Sequence, residues 1–332
     1  MNPVLVRAAT LIAGAALAHA AQAESSVTAY GLMDMSVGQF QAAGGSRVWR
    51  ADSGGMSTSH LGFRGSEDLG GGVRANFAIE SFLRLDSGAA GRFGADSFWS
   101  RNAYVSLQGA FGQTRLGRNT TPLFVSTLRF NPFGDSFGFS PSIRHYFAGA
   151  LLGDSAWNNS ISFLTRNSRG VNFNLITGLG EGNGVGRNLG GNLVFDDGPL
   201  ALTFAAQQVK NTAGALPAGF LKQDALQVGA AYNFGPVRLF GQFGAVETQA
   251  AANLNYKLYQ LGAALPIGTG ALLGSYARAR TTSPGGLTRE TLSLGYDHFL
   301  SKSTDVYAVF MNDQASGLAT GRTLAGGLRL RF

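Results

Sequence analysis

Four histidines, no cysteine and one glycine-rich run are where conventional chemistry would first be sought in this chain. His19, His60, His145 and His298 are too few and too scattered for a zinc motif, which needs closely spaced ligands. Without cysteine there is no thiolate ligand, no thiol nucleophile and no disulfide. Gly180-Glu181-Gly182-Asn183-Gly184-Val185-Gly186 superficially matches a phosphate-binding turn, but no helix-like pattern follows it, so it reads as a loop. Nothing marks out a Ser/His pair with an orienting group. No enzyme, metal or cofactor is therefore expected. What remains is the chemistry of fixed charge, in which side chains act on ions by field and local concentration. Arg101, Arg118 and Arg144 are the positive candidates, and Asp135 and Glu80 the negative ones.

Fixed charges need rigid elements facing a wet interior, and the chain is written in short stretches of period two. Val73, Ala75, Phe77 and Ile79 alternate with Arg74, Asn76 and Glu80; Leu226, Val228, Ala230 and Tyr232 alternate with Gln227 and Asn233. About sixteen such stretches follow one another from Glu24 to Phe332, an even number within the range of outer-membrane barrels. The composition, 45% apolar but only 14% charged with 48 glycines, suits strands that have lipid on one face and water on the other. The connections alternate in kind. Tight turns such as Glu67-Asp68-Leu69-Gly70 and Asp196-Asp197-Gly198-Pro199 are interleaved with longer segments at 41–56, 86–96, 211–221 and 281–287. Residues 120–156 form one much longer connection, rich in aromatic residues (Phe124, Phe130, Phe133, Phe137, Phe139 and Tyr146), which should fold inward to hide its rings. A soluble sandwich would lack this alternation of turn lengths.

The first 23 residues read as a secretory leader: Arg7, an apolar run from Ala8 to Ala18, and Ala21-Gln22-Ala23 before a mature start at Glu24. The run is too short for a spanning helix. Formal charge is +7 overall, and removing the leader takes away only Arg7. No dense Lys/Arg run points to nucleic acid. At the other end Leu324, Leu328, Leu330 and Phe332 fall on one face, with Thr323, Arg329 and Arg331 on the other. That strand should pair with Val27–Val37 and leave no edge in lipid. Arg329 and Arg331 would then line the periplasmic vestibule.

Ser26-Val27-Thr28-Ala29-Tyr30-Gly31, Leu61-Gly62-Phe63-Arg64-Gly65-Ser66-Glu67-Asp68-Leu69-Gly70, Arg101-Asn102-Ala103-Tyr104-Val105-Ser106-Leu107, Leu116-Gly117-Arg118-Asn119-Thr120-Thr121-Pro122, Asn158-Asn159-Ser160-Ile161 and Gly327-Leu328-Arg329-Leu330-Arg331-Phe332 occur in that order. In wording, order and spacing the chain resembles the general diffusion porins of Gram-negative bacteria, most nearly the β-proteobacterial type. The resemblance implies an all-β fold: a transmembrane, sixteen-stranded antiparallel barrel spanning residues 24–332, with its long third loop folded into the lumen. It also implies a homotrimer in the outer membrane, in contact with lipid and lipopolysaccharide. Its expected traffic is passive diffusion of ions and small hydrophilic solutes. The terminal Phe332 would be read by the outer-membrane assembly machinery.

Loop acids facing wall arginines across a constriction are a further implication of the resemblance, and here the sequence departs from the pattern. Of four wall positions commonly basic in the family, this chain has Leu32, His60, Arg101 and, by alignment, Ala156. The basic cluster is thinned, and mild anion preference is expected. Alternation independently puts Leu32 and His60 on the lumen face, though not Arg101. An imidazole at His60 with an ordinary pKa near ~6.5 would make anion preference rise as pH falls. A substrate-specific channel, or a barrel serving mainly as adhesin or receptor, is the alternative reading.

Overall fold

The computed structural model describes residues 26–166, 168–180, 186–212, 215–282 and 286–332. The expected leader, with its processing point at Ala23 and Glu24, lies outside them, as do residues 181–185 of the glycine run. Among the described residues, eighteen strand segments form one antiparallel sheet that closes on itself. β1 (Ser26–Phe40) pairs along one edge with β18 (Gly321–Arg331), from Leu32↔Arg331 to Gln39↔Leu324. Along its other edge it pairs with β2 (Val48–Ser53) and then β3 (His60–Asp68). β2 and β3 are thus one spanning strand interrupted at 54–59. In the same way β5 (Ala89–Ala90) and β6 (Asn102–Gly109) are two pieces of one strand against β4 (Arg74–Arg84). The remaining strands are β7 (Gly112–Thr120), β8 (Ala156–Leu164), β9 (Val171–Gly178), β10 (Asn188–Asp197), β11 (Leu200–Val209), β12 (Lys222–Asn233), β13 (Arg238–Gln249), β14 (Leu254–Ile267), β15 (Gly270–Thr281), β16 (Thr288–Phe299) and β17 (Thr304–Ala315). The result is a closed sixteen-stranded barrel with no free edge.

Two boundaries differ from the sequence reading. The closing strand meets residues 31–39 of β1 rather than 27–37, because strands around a barrel are staggered. Gly31 and Phe332 exchange both backbone hydrogen bonds at 3.0 and 3.1 Å. The loop expected at 41–56 contains β2, and the break falls later. There Asp34 turns residues 54–59 into the lumen: its carboxylate accepts from the Met56 and Ser57 amides at 2.9 and 2.7 Å and from Tyr307 Oη at 2.5 Å.

The alternation expected of each wall strand is present. On β18 Leu324 and Leu328 are 62% and 50% exposed, while Thr323 and Arg329 are buried inside. Inward polar residues such as Gln227, Gln242, Gln260, Thr291 and Ser293 are buried because a structured loop covers them. That loop, between β7 and β8, holds α1 (Pro122–Arg129), α2 (Pro141–His145) and a wide helical turn at Tyr146–Ala150.

Candidate constriction site

The long loop begins with a capped helix. Thr121 accepts from the Phe124 amide at 3.3 Å, and Pro122 takes a first-turn position that lacks an intrahelical N–H partner anyway. Ser140 and Pro141 start α2 in the same way. Asn131 closes α1, donating to Thr127 O at 2.8 Å. From this frame the loop is bonded to wall after wall. Asn192 of β10 donates to Pro122 O at 3.1 Å, and Ser126 meets Thr203 of β11 at 2.9 Å. Thr127 donates to Gln227 Oε1 of β12 at 2.8 Å, and Gln242 of β13 donates back to Thr127 O at 2.9 Å. Further round, Tyr256 donates to His145 O at 3.0 Å, His145 Nε2 meets Thr291 Oγ1 at 2.8 Å, and Ser293 donates to Phe139 O at 2.7 Å.

Apolar packing supplements these bonds, as the aromatic content of the loop implied. Leu123 and Tyr146 are buried with Ala225, Val246, Leu258 and Ala277; Phe130 packs with Ala201, Ala231 and Phe240; Phe133 and Phe139 pack with Met56, Tyr307 and Val309. Burying each large side chain contributes on the order of 1.5–3 kcal/mol. At the tip Ser136 Oγ donates to Gly55 O at 2.6 Å, so the loop rests on the inward segment 54–59. A Cβ on Gly138 would lie 2.6 Å from Gly55 O, so only glycine permits this approach.

Four of the expected site residues come together. Arg101 Nη1 lies 2.6 Å from Glu80 Oε2, and the same carboxylate accepts from Tyr30 Oη and Asn102 Nδ2, each at 2.5 Å. His60 is within electrostatic reach of Arg101, Glu80 and Asp135. Its ring is nearly buried, with Nδ1 3.1 Å from Thr58 O, so it is held by backbone more than presented to the channel. Leu32 stands beside it, in register with both His60 and Arg331. Asp135, on the loop, makes no ion pair among the described residues.

The other candidates lie elsewhere. Arg118 is in register with Ala103, on the outward parity of Val105 and Leu107. It ties the rim, donating to Asp154 Oδ2 at 2.8 Å and Ser100 O at 2.6 Å. Arg92 reaches the same Asp154 at 2.8 Å while also holding Asp96. Burial would raise the Asp154 carboxyl, but Arg92 and Arg118 outweigh it and hold it at about 2. Arg144, on α2 of the loop itself, is half-buried, donating to Gly138 O at 3.0 Å, with Asp313 4.0 Å away. Beside it, burial and then the Arg289 charge push His145 down to about 3. Arg329 is a buried tie, donating to Asp305, Asp297 and Ser57 at 2.9, 2.7 and 2.8 Å. Arg331 is more open and bonds Asp305 at 2.5 Å. Sequence reasoning missed Asp34, Asp154 and Asp313, the acids that fix the inward segment and the loop. It also missed Arg64 and Arg115, whose inward parity the alternation already contained.

A closed barrel of sixteen strands with a polar inside, an apolar outside and a bonded loop across its lumen is the architecture of an outer-membrane channel. A family model for the Gram-negative porin matches residues 8–318, and the chain belongs to that family. It is 36% identical over 342 residues to outer membrane porin protein 32 of Delftia acidovorans, covering 96% of this chain and 95% of that one. An outer membrane porin protein of Bordetella pertussis is 27% identical over 404 residues, covering 98% of both. Among solved structures, the anion-selective porin from Comamonas acidovorans superposes with a TM-score of 0.79 at 30% identity, covering 93% of this chain and all of that one. The trimer form of OmpT from Vibrio cholerae shares the fold, with a TM-score of 0.73 at 13% identity, covering 93% and 99% of the two chains.

Proposed function

We propose that this protein is a general diffusion channel of the Gram-negative outer membrane, passing ions and small hydrophilic solutes down their gradients with a mild preference for anions. The observation that carries the reading is the long loop, fixed by side-chain hydrogen bonds to β10–β13 and β16, which narrows a polar lumen without offering a reaction centre. The basic balance of the chain and its likeness to an anion-selective porin support the sign of selectivity. Arg101, Glu80, His60, Leu32 and Asp135 are the constriction residues in this reading, with Arg118 and Arg144 as structural ties and Arg329 and Arg331 at the vestibule.

The assembled form is a homotrimer. Its support is the apolar outer wall of β1, β3, β4, β6 and β7, where Val27, Val105, Leu107 and Leu116 are exposed beside Phe77. The rest of the belt meets lipid, with lipopolysaccharide at the long-loop rim. The chain is exported by its leader and received by the assembly machinery through Phe332. Reversal potentials across a planar bilayer under a KCl gradient test the reading. A chloride-over-potassium permeability ratio above one supports it, and a ratio at or below one removes the anion preference.

A further inference from the structure

The arginines that the constriction and its supports use are each held by a carboxylate: Arg101 by Glu80, Arg92 and Arg118 by Asp154, Arg144 and Arg289 by Asp313, and Arg329 and Arg331 by Asp305. A paired charge projects little field beyond its partner, since the two cancel at distance. Some lumen arginines lack a carboxylate partner among the described residues: Arg84 donates to Ala90 O, and Arg238 on β13 lies 5.1 Å over the ring of Phe240, but Arg64 and Arg115 stand together on the wall of β3–β7. Arg64 on β3 shares the inward parity of His60 and Gly62 and is in register with buried Ala78. Its guanidinium lies 4.8 Å over the ring of Tyr30. Arg115 on β7 is in register with buried Ser106, and its guanidinium lies 4.7 Å over the ring of Tyr104. Among the described residues neither has an acidic partner. Arg115 is instead steadied by Gln113 Oε1, which accepts from Nε and Nη2 at 3.1 and 2.9 Å.

Stacking on a ring fixes a guanidinium without neutralising it; Arg64 keeps its N–H groups for an oxyanion, and Arg115 keeps those on the side away from Gln113, since its Nε and one Nη2 hydrogen are taken. Between the two, the inward register positions on β4, β6 and β7 are Ala78, Asn76, Ser106 and Gly117, small or polar, together with Tyr104, whose ring lies under Arg115. Both arginines sit near the short-turn rim, since β3 ends at Asp68 and β7 begins at Gly112. With Arg74, which meets exposed Asp68 only at 3.8 Å, they charge one wall of that half of the lumen.

We propose that Arg64 and Arg115 form an oxyanion-binding wall below the constriction, and that this wall, more than the paired charges above it, sets anion preference. The inference rests on the channel reading. A unit charge roughly 8 Å from the ion path changes local anion concentration about twofold at low salt. Because the wall is displaced toward one mouth, a polyvalent oxyanion should meet it more readily from that side.

The test compares wild type, R64Q/R115Q, R64K/R115K and the outer-wall control R278Q/R280Q in planar bilayers. Each is measured for the chloride-over-potassium permeability ratio and for block by sodium tripolyphosphate added to either chamber. Wild type, the lysine variant and the control should share one ratio and show block stronger from one chamber. The glutamine variant should lose at least about half of the ratio and all of the sidedness. If the glutamine variant keeps both, the proposal is wrong although the channel reading stands. If the lysine variant behaves like the glutamine variant, charge on this wall is not the cause and the proposal is equally wrong. A wild-type ratio at or below one overturns the anion preference itself, and the inference with it. If the double glutamine variant does not assemble, the single variants R64Q and R115Q decide the matter: each should lower the ratio and weaken the sidedness, and no change in either variant would overturn the proposal.

Discussion

Gly244 on β13 faces the wide helical turn of the long loop, and an added methyl there should loosen the loop. A Cβ built on Gly244 would coincide with Tyr146 Oη and lie 2.5 Å from Cζ of the same ring. Tyr146 is 1% exposed, packed among Leu123, Val246, Leu258 and Ala277, with Tyr256 at 6.5 Å between ring centroids. It cannot give way without disturbing that cluster. Overpacking of this kind costs about 1–3 kcal/mol. If the cost falls on loop seating, the ratio of seated to unseated loop drops about 5- to 150-fold, at 1.4 kcal/mol per tenfold. Gly244→Ala should therefore show substates and larger openings in single-channel records, with a lower unfolding temperature. Tyr146→Phe should partly rescue it, since it removes the clashing oxygen, which is itself buried without a partner. Unchanged openings and stability in Gly244→Ala would refute the seating of Tyr146 against β13, and with it the claim that this packing fixes the constriction.

Protonation supplies further outcomes. His145, pushed down to about 3 by burial and the Arg289 charge, is neutral in the fold while an unfolded imidazole titrates near ~6.5. The unfolded chain thus binds the extra proton, and this stabilisation is complete above about pH 6.5 and fades as pH falls toward 3; His145→Gln should flatten that part of a denaturation series. Asp154, held at about 2 by Arg92 and Arg118 against its burial, contributes stability that is full above about pH 4 and fades as pH falls through 2. Asp154→Asn should lose the contribution at neutral pH, seen as faster proteolysis of residues 85–101 in folded protein. Deleting Phe332 removes the paired hydrogen bonds with Gly31 and should lower outer-membrane yield in cells far more than conductance of refolded protein; a normal yield would argue against an assembly role.

Much of the wall was legible because period-two alternation survives wherever strands pair without interruption. From β10 to β18 the inward and outward residues fall where the sequence put them. The aromatic content of residues 120–156 likewise announced a packed loop. What could not be read were features made by distant partners. The break in β2 and β3 depends on Asp34 receiving Met56 and Ser57, and no local pattern marks it. Arg101 precedes β6 and so escapes the parity of the strand. The register shift between Gly117 and Asn119 alters the ladder at Arg118, and a one-residue change exchanges inside for outside. Arg64 was visible as part of a motif, and extending the parity of His60 by four residues would have placed it in the lumen.

As a general diffusion channel, the protein should pass solutes passively through a lumen whose width the long loop sets. Liposome swelling with neutral sugars of graded size measures this directly, because such solutes do not feel the charges on the wall. The structure predicts rates that fall smoothly with solute size and rise in proportion to concentration. Swelling that saturates with one sugar alone, or no swelling from fully assembled protein, would contradict it.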